Sequence, residues 1–138
     1  MKLFKLLSWI TILTGIDLLT KYLFYNNNFL NDTSRILPVL NTGISRSLPI
    51  PMIVILLISI VGIWVFIRLF VTKKIGRIIT MFLIAGTMGN LFDRIFYGGV
   101  RDFINIWIFN FPIFNFADIM LNIWVIIRIL IVMLEKRK

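Results

Sequence analysis

The sequence predicts an all-α membrane protein of four transmembrane helices, with a small extracytoplasmic loop region between helices 1 and 2 able to form short β-strands. Three observations carry that prediction. Of 138 residues, 59% are apolar and only 15% charged, with a mean hydropathy of +0.96; soluble domains average about 45–50% apolar and about 25% charged. Four long apolar stretches punctuate the chain. At about 20 residues per crossing they use roughly 80 residues and leave roughly 58 for loops and ends. A single integral membrane domain covering 1–138 is therefore expected.

The first span, about 3–25, is interrupted by Asp17 and Lys21 near its far end. Lys2 and Lys5 ahead of an apolar run could also open a cleavable signal, but no small-x-small site follows, so the segment is expected to stay as a span. The second, about 50–71, carries no charge before Arg68, whose stem can snorkel from the helix end. The third, about 75–96, crowds Asn90, Asp93 and Arg94 at its far end. The fourth, about 113–134, carries Asp118 near its start and Arg128 near its end. Between spans one and two, residues 26–49 are polar and turn-rich, and Asn41-Thr-Gly43 reads as a turn. Residues 97–112, rich in Trp and Phe, read as a second outer loop suited to the interface.

Basic residues orient the spans. With the N-terminus cytoplasmic, the inner side holds Lys2, Lys5, Arg68, Lys73, Lys74, Arg77, Arg128, Lys136, Arg137 and Lys138. The outer side holds Lys21, Arg35, Arg46, Arg94 and Arg101. Ten against five places both termini in the cytoplasm. The net charge of +9 is thus a topology signal; no clustered basic surface with aromatic or groove-reading context suggests nucleic acid.

The chain has neither Cys nor His. Thiol nucleophiles, thiolate metal sites, Ser-His triads and HExxH zinc sites are excluded. Rhomboid-type and metalloprotease-type intramembrane chemistry fall with them, and Gly98-Gly99-Val-Arg-Asp102 lacks the Gly-x-Gly-Asp of the presenilin type. Catalysis is left to carboxylates, Lys, Tyr or Ser. Five of the six acids, Asp17, Asp32, Asp93, Asp102 and Asp118, fall on the outer side; Glu135 lies in the cytoplasmic tail. Asp17 and Lys21 are spaced i, i+4 in the favourable order, Asn90 and Arg94 also i, i+4, and Asn115 and Asp118 i, i+3, so each couple shares a helix face. An ionisable group inside a span is costly and usually faces a bundle interior with a function attached. Asp118 is the hardest to read as idle. Asp17–Lys21 reads first as a structural pair, and Asp93–Arg94 equally as a helix terminus.

These residues also form a series. Asp17-Leu-Leu-Thr20-Lys21, Asn41-Thr-Gly43-Ile-Ser45, Gly89-Asn90-Leu-Phe-Asp93-Arg94, Val100-Arg-Asp102-Phe103 and Phe114-Asn115-Phe-Ala117-Asp118 occur in order along most of the chain. In that order, on four spans, they resemble the boxes of the lipoprotein signal peptidase (signal peptidase II) family of bacterial membranes. The chain departs from the pattern at Arg46, where the family often has an aromatic, at Ala85-Gly86 in place of Gly-Gly, and in the Ile-Met-Leu that follows Asp118.

The resemblance implies a catalytic dyad of Asp102 and Asp118, with Asp17, Lys21, Asn41, Gly43, Asn90, Arg94 and Asn115 shaping the site or binding substrate. The implied substrate is a prolipoprotein whose lipobox Cys carries diacylglycerol, cut just before that Cys. It also implies the bacterial cytoplasmic membrane, with the site toward the outer leaflet. Two carboxylates held close share a proton, so one can activate water while the other polarises a carbonyl; that chemistry needs no metal and no cofactor. Which aspartate is the base is open at this level. Membrane lipid and precursor are the expected partners, and a monomer is expected. Two alternatives compete: a Ser–Lys dyad of Ser45 or Ser47 with Lys21, and a small non-enzymatic transporter or assembly subunit with a one-sided polar site. The almost wholly apolar inner halves of the spans weigh against conduction.

Overall fold

The computed structural model describes residues 2–26, 35–43, 50–107 and 111–135. Four helices, α1 (Lys2–Lys21), α2 (Met52–Val71), α3 (Arg77–Tyr97) and α4 (Phe116–Glu135), are joined by two strands, β1 (Ile36–Asn41) and β2 (Val100–Ile104). A π-helical turn, Tyr22–Asn26, continues α1. Phe4–Asn26, α2 and α3 are each long and apolar enough to cross a membrane, and Phe116–Ile127 of α4 is a shorter apolar run. The fold is thus the mostly helical one expected, with the helices starting and stopping within a few residues of the predicted spans.

Helix α3 is the centre, packing against α1, α2 and α4. Its small residues permit this, as at helix interfaces in membranes generally. A Cβ at Gly86 would lie 2.7 Å from the Ala117 carbonyl oxygen. One at Gly89 would collide with the Asp17 carboxylate. Leu6 and Ile10 of α1, Ile84 and Ala85 of α3, and Ala117 and Met120 of α4 form the apolar core below that contact. Helix α2 differs: only Ile55 is buried, and Ile53, Leu57, Ile58, Ile60, Val61 and Trp64 are exposed, as suits a helix solvated by lipid. Helix α3 runs past Asp93 and Arg94 to Tyr97. It ends on Gly98 in the left-handed conformation (φ 70°), whose N–H donates to the Arg94 carbonyl at 3.2 Å, so glycine geometry, and not the Asp–Arg couple, stops the helix.

A strand does lie between helices 1 and 2, but its partner corrects the expectation for residues 97–112. That segment supplies β2, antiparallel to β1, with Val39 opposite Asp102 and Asn41 opposite Val100. Phe114 then bridges back to Ile104, its N–H donating to the Ile104 carbonyl at 3.1 Å and its carbonyl accepting from Ile104 at 2.8 Å. Backbone N–H and C=O groups need partners when buried, and this pairing supplies them. It also returns the chain to α4 beside β2.

Candidate active site

Two polar layers lie where the outer ends of α1, α3 and α4 meet the sheet. The inner layer is ionic. Lys21 is fully buried, with its Nζ 2.7 Å from Asp17 Oδ2 and 3.4 Å from Asp93 Oδ2, and it donates to Asn90 Oδ1 at 2.9 Å. Asp17 Oδ1 accepts the Ala117 backbone N–H at 2.8 Å. The i, i+4 pair predicted on α1 therefore forms, and it also ties α1 to the first turn of α4. Asp93 takes Arg101 as a fork: Nη2 donates to Oδ1 at 2.7 Å and the Arg101 backbone N–H to Oδ2 at 2.9 Å. Arg101 Nη1 donates to Asn26 Oδ1 at 2.7 Å, and its guanidinium lies 3.9 Å over the Tyr97 ring. A buried charge left alone is costly; here each carboxylate has a cation.

The outer layer is built by neutral amides. Asn115 caps α4, its Oδ1 accepting the Asp118 N–H at 3.0 Å while the Asn115 N–H donates to Asp118 Oδ2 at 3.1 Å. This reciprocal cap fixes the Asp118 carboxylate at the third residue of the helix. Asn90 Nδ2 donates to its other oxygen at 2.9 Å. The Asn115 side-chain amide donates to Asp102 Oδ1 at 2.7 Å and to Asn90 Oδ1 at 3.2 Å. Asn41 Nδ2 holds Asp102 Oδ2 at 3.2 Å, and Asn41 Oδ1 accepts the Gly43 N–H at 3.1 Å, closing the predicted turn. Arg94 reaches the Asn90 carbonyl (3.3 Å) and the Gly43 carbonyl (3.4 Å), pinning that turn over α3.

Strand alternation separates the layers. Successive residues of β2 point to opposite faces, so Arg101 and Phe103 turn toward α1 and α3, where Phe103 stacks on Phe24 at 5.3 Å. Asp102 turns the other way, onto a cavity of about 330 Å³ that Asn41, Asn90, Arg94 and Asp118 also border. Burial, and then the neighbouring Asp118 charge, push the Asp102 carboxyl up to about 7; the Asn115 and Asn41 amides and Lys21 hold it from rising further.

All nine residues singled out in the sequence meet in these two layers. Asp93 and Arg101 belong with them. In sequence, Asp93 groups with Arg94 at a helix end and Arg101 reads only as an outer charge. The available signals were the i, i+3 spacing of Asp93 from Asn90 and the position of Arg101 next to Asp102 in an alternating strand. Asp32, Ser45, Arg46 and Ser47 lie outside the described residues. Lys21, sought as a base for Ser45 or Ser47, is instead held by two carboxylates and an amide.

Comparison with known proteins is concordant. Residues 9–134 match the family described as Signal peptidase (SPase) II. The chain is 34% identical over 129 residues to the lipoprotein signal peptidase of Wigglesworthia glossinidia brevipalpis, covering 83% of this chain and 84% of that one. It is 31% identical over 151 residues to that of Lactococcus lactis subsp. cremoris, covering 96% and 97%. Two solved bacterial membrane enzyme structures share the fold. One has a TM-score of 0.72 at 23% identity over 96% of this chain and 89% of that one. The other has 0.70 at 25% identity over 93% and 92%. Ordered motifs, an integral membrane fold and relatives along nearly the whole chain agree, and the chain belongs to the lipoprotein signal peptidase (signal peptidase II) family.

Proposed function

We propose that this protein is an aspartic endopeptidase in which Asp102 and Asp118 are the catalytic dyad, and that it cleaves prolipoproteins immediately before the diacylglyceryl-modified lipobox Cys. One observation carries the reading. Asn115 grips both aspartates, its side-chain amide on Asp102 at 2.7 Å and its backbone N–H on Asp118 at 3.1 Å, at a cavity that both acids border. Neither is neutralised by a cation within ion-pair distance among the described residues.

Asp102, pushed up to about 7, holds the shared proton near neutral pH. Asp118, at the start of α4, acts as the base. It takes a proton from a water between the carboxyls as that water attacks the scissile carbonyl carbon, and Asp102 protonates the carbonyl oxygen. The tetrahedral intermediate collapses as Asp118 returns its proton to the leaving amine of the modified Cys, the C–N bond breaks, and a hydroxyl of the intermediate gives its proton to Asp102, which leaves a carboxylic acid product and restores the dyad. Asn90 and Asn115 orient the dyad, Asn41 and Gly43 border the substrate side, and Arg94 fixes their turn. Asp17 and Lys21 hold α1 to α3 and α4.

The same reading has one peptidase domain crossing the bacterial cytoplasmic membrane four times, with both termini cytoplasmic, the dyad at the outer leaflet, and a monomer as the working unit. The charge asymmetry of the loops and the clustering of polar residues at one end of the helices support it. Asp102→Asn or Asp118→Asn should each lower cleavage of a diacylglyceryl-modified precursor about 10³-fold or more while insertion and thermal stability are retained. Turnover within tenfold of wild type in the purified double variant would exclude the aspartic mechanism. A tag showing both termini outside the cell would exclude the topology.

A further inference from the structure

A group of cations at the end of the bundle away from the dyad takes no part in the hydrolysis just described. Lys73, Lys74 and Arg77 line one open recess in the turn between α2 and α3, with Phe70 and Ile78 as its apolar side. Among the described residues, none of the three has a carboxylate within ion-pair distance. Asp93, the acid on α3, lies about 24 Å from Arg77 along the helix at 1.5 Å per residue. The turn itself is well tied. The Lys73 N–H donates to the Phe70 carbonyl at 3.0 Å and the Lys74 N–H to the Leu69 carbonyl at 2.9 Å, the two bonds of a Schellman helix end. Ile75, next in the chain, is buried.

Two of these charges stand where local preference is against them. Lys73 has φ 57°, the left-handed position of that helix end, where glycine is usual. Arg77 opens α3 at the positive end of the helix dipole, with no acid in the first turn to offset it. A bias of basic residues toward one leaflet accounts for cations at this end of the bundle, but not for cations at these two positions. An anion in the recess accounts for both. We propose that the recess binds the phosphate of an anionic phospholipid, in the leaflet opposite the dyad, with Lys73, Lys74 and Arg77 as its counter-charges. Apolar surface continues from the recess along both helices: Val71 and Ile78 are each 65% exposed, and α2 is bare over most of its length. A soluble phosphate or an acidic peptide makes no use of that wall, whereas acyl chains cover it. The three cations and the adjoining apolar wall, rather than the helix end, select the ligand.

The test titrates the full-length protein, in a neutral detergent, with dioleoyl-phosphatidylglycerol, dioleoyl-phosphatidylcholine or inorganic phosphate, and reads binding by native mass spectrometry. Wild type should bind phosphatidylglycerol about tenfold or more tighter than phosphatidylcholine. Each cation near an anionic lipid surface contributes about fivefold, so Arg77→Gln should weaken phosphatidylglycerol binding about fivefold and Lys73→Gln/Arg77→Gln about thirtyfold. Lys73→Gly keeps the left-handed turn with a residue that suits it better, so its own loss of about fivefold would not come from a damaged fold. Lys5→Gln removes the same charge from α1, which makes no contact with α2, and should leave binding within about twofold. In wild type, phosphatidylglycerol carrying a diazirine near its ester should label Phe70, Val71 or Ile78. Equal losses in Lys5→Gln and Arg77→Gln would mean diffuse attraction to the whole leaflet. Labelling confined to α1 or α4 would put the lipid elsewhere, and displacement of the lipid by equimolar inorganic phosphate would make the ligand a soluble anion. Any of these three results overturns the assignment.

Discussion

Four aspartates sit within one small region, yet two are held by cations and two by amides. Asp17 and Asp93 lie against Lys21 and Arg101, each with a nitrogen at 2.7 Å. Asp102 and Asp118 are held by Asn41, Asn90 and Asn115. The difference separates two uses of one side chain. A carboxylate beside a buried cation fastens helices together, because removing it would strand the cation. A carboxylate beside another carboxylate, steadied by neutral donors, retains a proton within reach of physiological pH. Asn90 joins the two sets: its Oδ1 accepts from Lys21, which orients its Nδ2 toward Asp118.

Exchanging one carboxylate for an amide in each set should break the comparison most clearly. Asp118→Asn is expected to remove about 10³-fold or more of kcat, roughly 4 kcal/mol of transition-state stabilisation, with an unchanged melting temperature in detergent. Asp93→Asn leaves Arg101 and Lys21 short of a counter-charge. It should cost about 3 kcal/mol or more of stability, read as a lowered melting temperature, with activity lost only in proportion to unfolded protein. If the two variants gave the same profile, the division into fastening and reacting acids would fail. Next in size is Gly89→Ala, whose methyl collides with the Asp17 carboxylate and should cost about 2 kcal/mol of stability by overpacking; a Gly89→Ala protein as stable as wild type would show that the α1–α3 contact is loose.

The smallest effects are in pH dependence. Activity that needs protonated Asp102 should decline as pH rises through about 7. Asn41→Ala removes a donor that holds Asp102 down, so the alkaline limb should move to higher pH by less than one unit. A shift to lower pH would contradict the assignment of the proton to Asp102. The sign for stability follows from linkage: a carboxyl raised from 3.8 to about 7 in the folded protein contributes stability that is full below pH 3.8 and is lost as pH rises through about 7. Melting temperatures of wild type and Asp102→Asn across pH 4–8 should therefore converge or cross, with wild type losing stability toward the alkaline end.

Much of this was legible in the chain. Apolar length set out the helices, and the i, i+4 spacing of Asp17 and Lys21 set their pairing, because helix periodicity fixes which side chains are neighbours. The Asn115–Asp118 spacing placed both on one face, and the reciprocal cap follows from it. Less legible was the segment 97–112, whose aromatic residues suggested an interfacial loop. Its strand pairing depends on a partner some 60 residues earlier, and no local pattern encodes so distant a partner.

The sequence by itself determined the helical membrane fold, the clustering of polar residues toward one end of the spans and the exclusion of Cys and His chemistry, since composition and short-range spacing are properties of the chain alone. Only the tertiary structure decided which acids lie against cations and which against amides. Asp93 and Asp102 stand nine residues apart and look alike in sequence. β-Strand alternation sends Arg101 to Asp93 and leaves Asp102 facing Asn115, Asn41 and the cavity. Proximity of charges across separate elements sets an acid's proton affinity, and that proximity exists only once α1, α3, α4 and the sheet have packed.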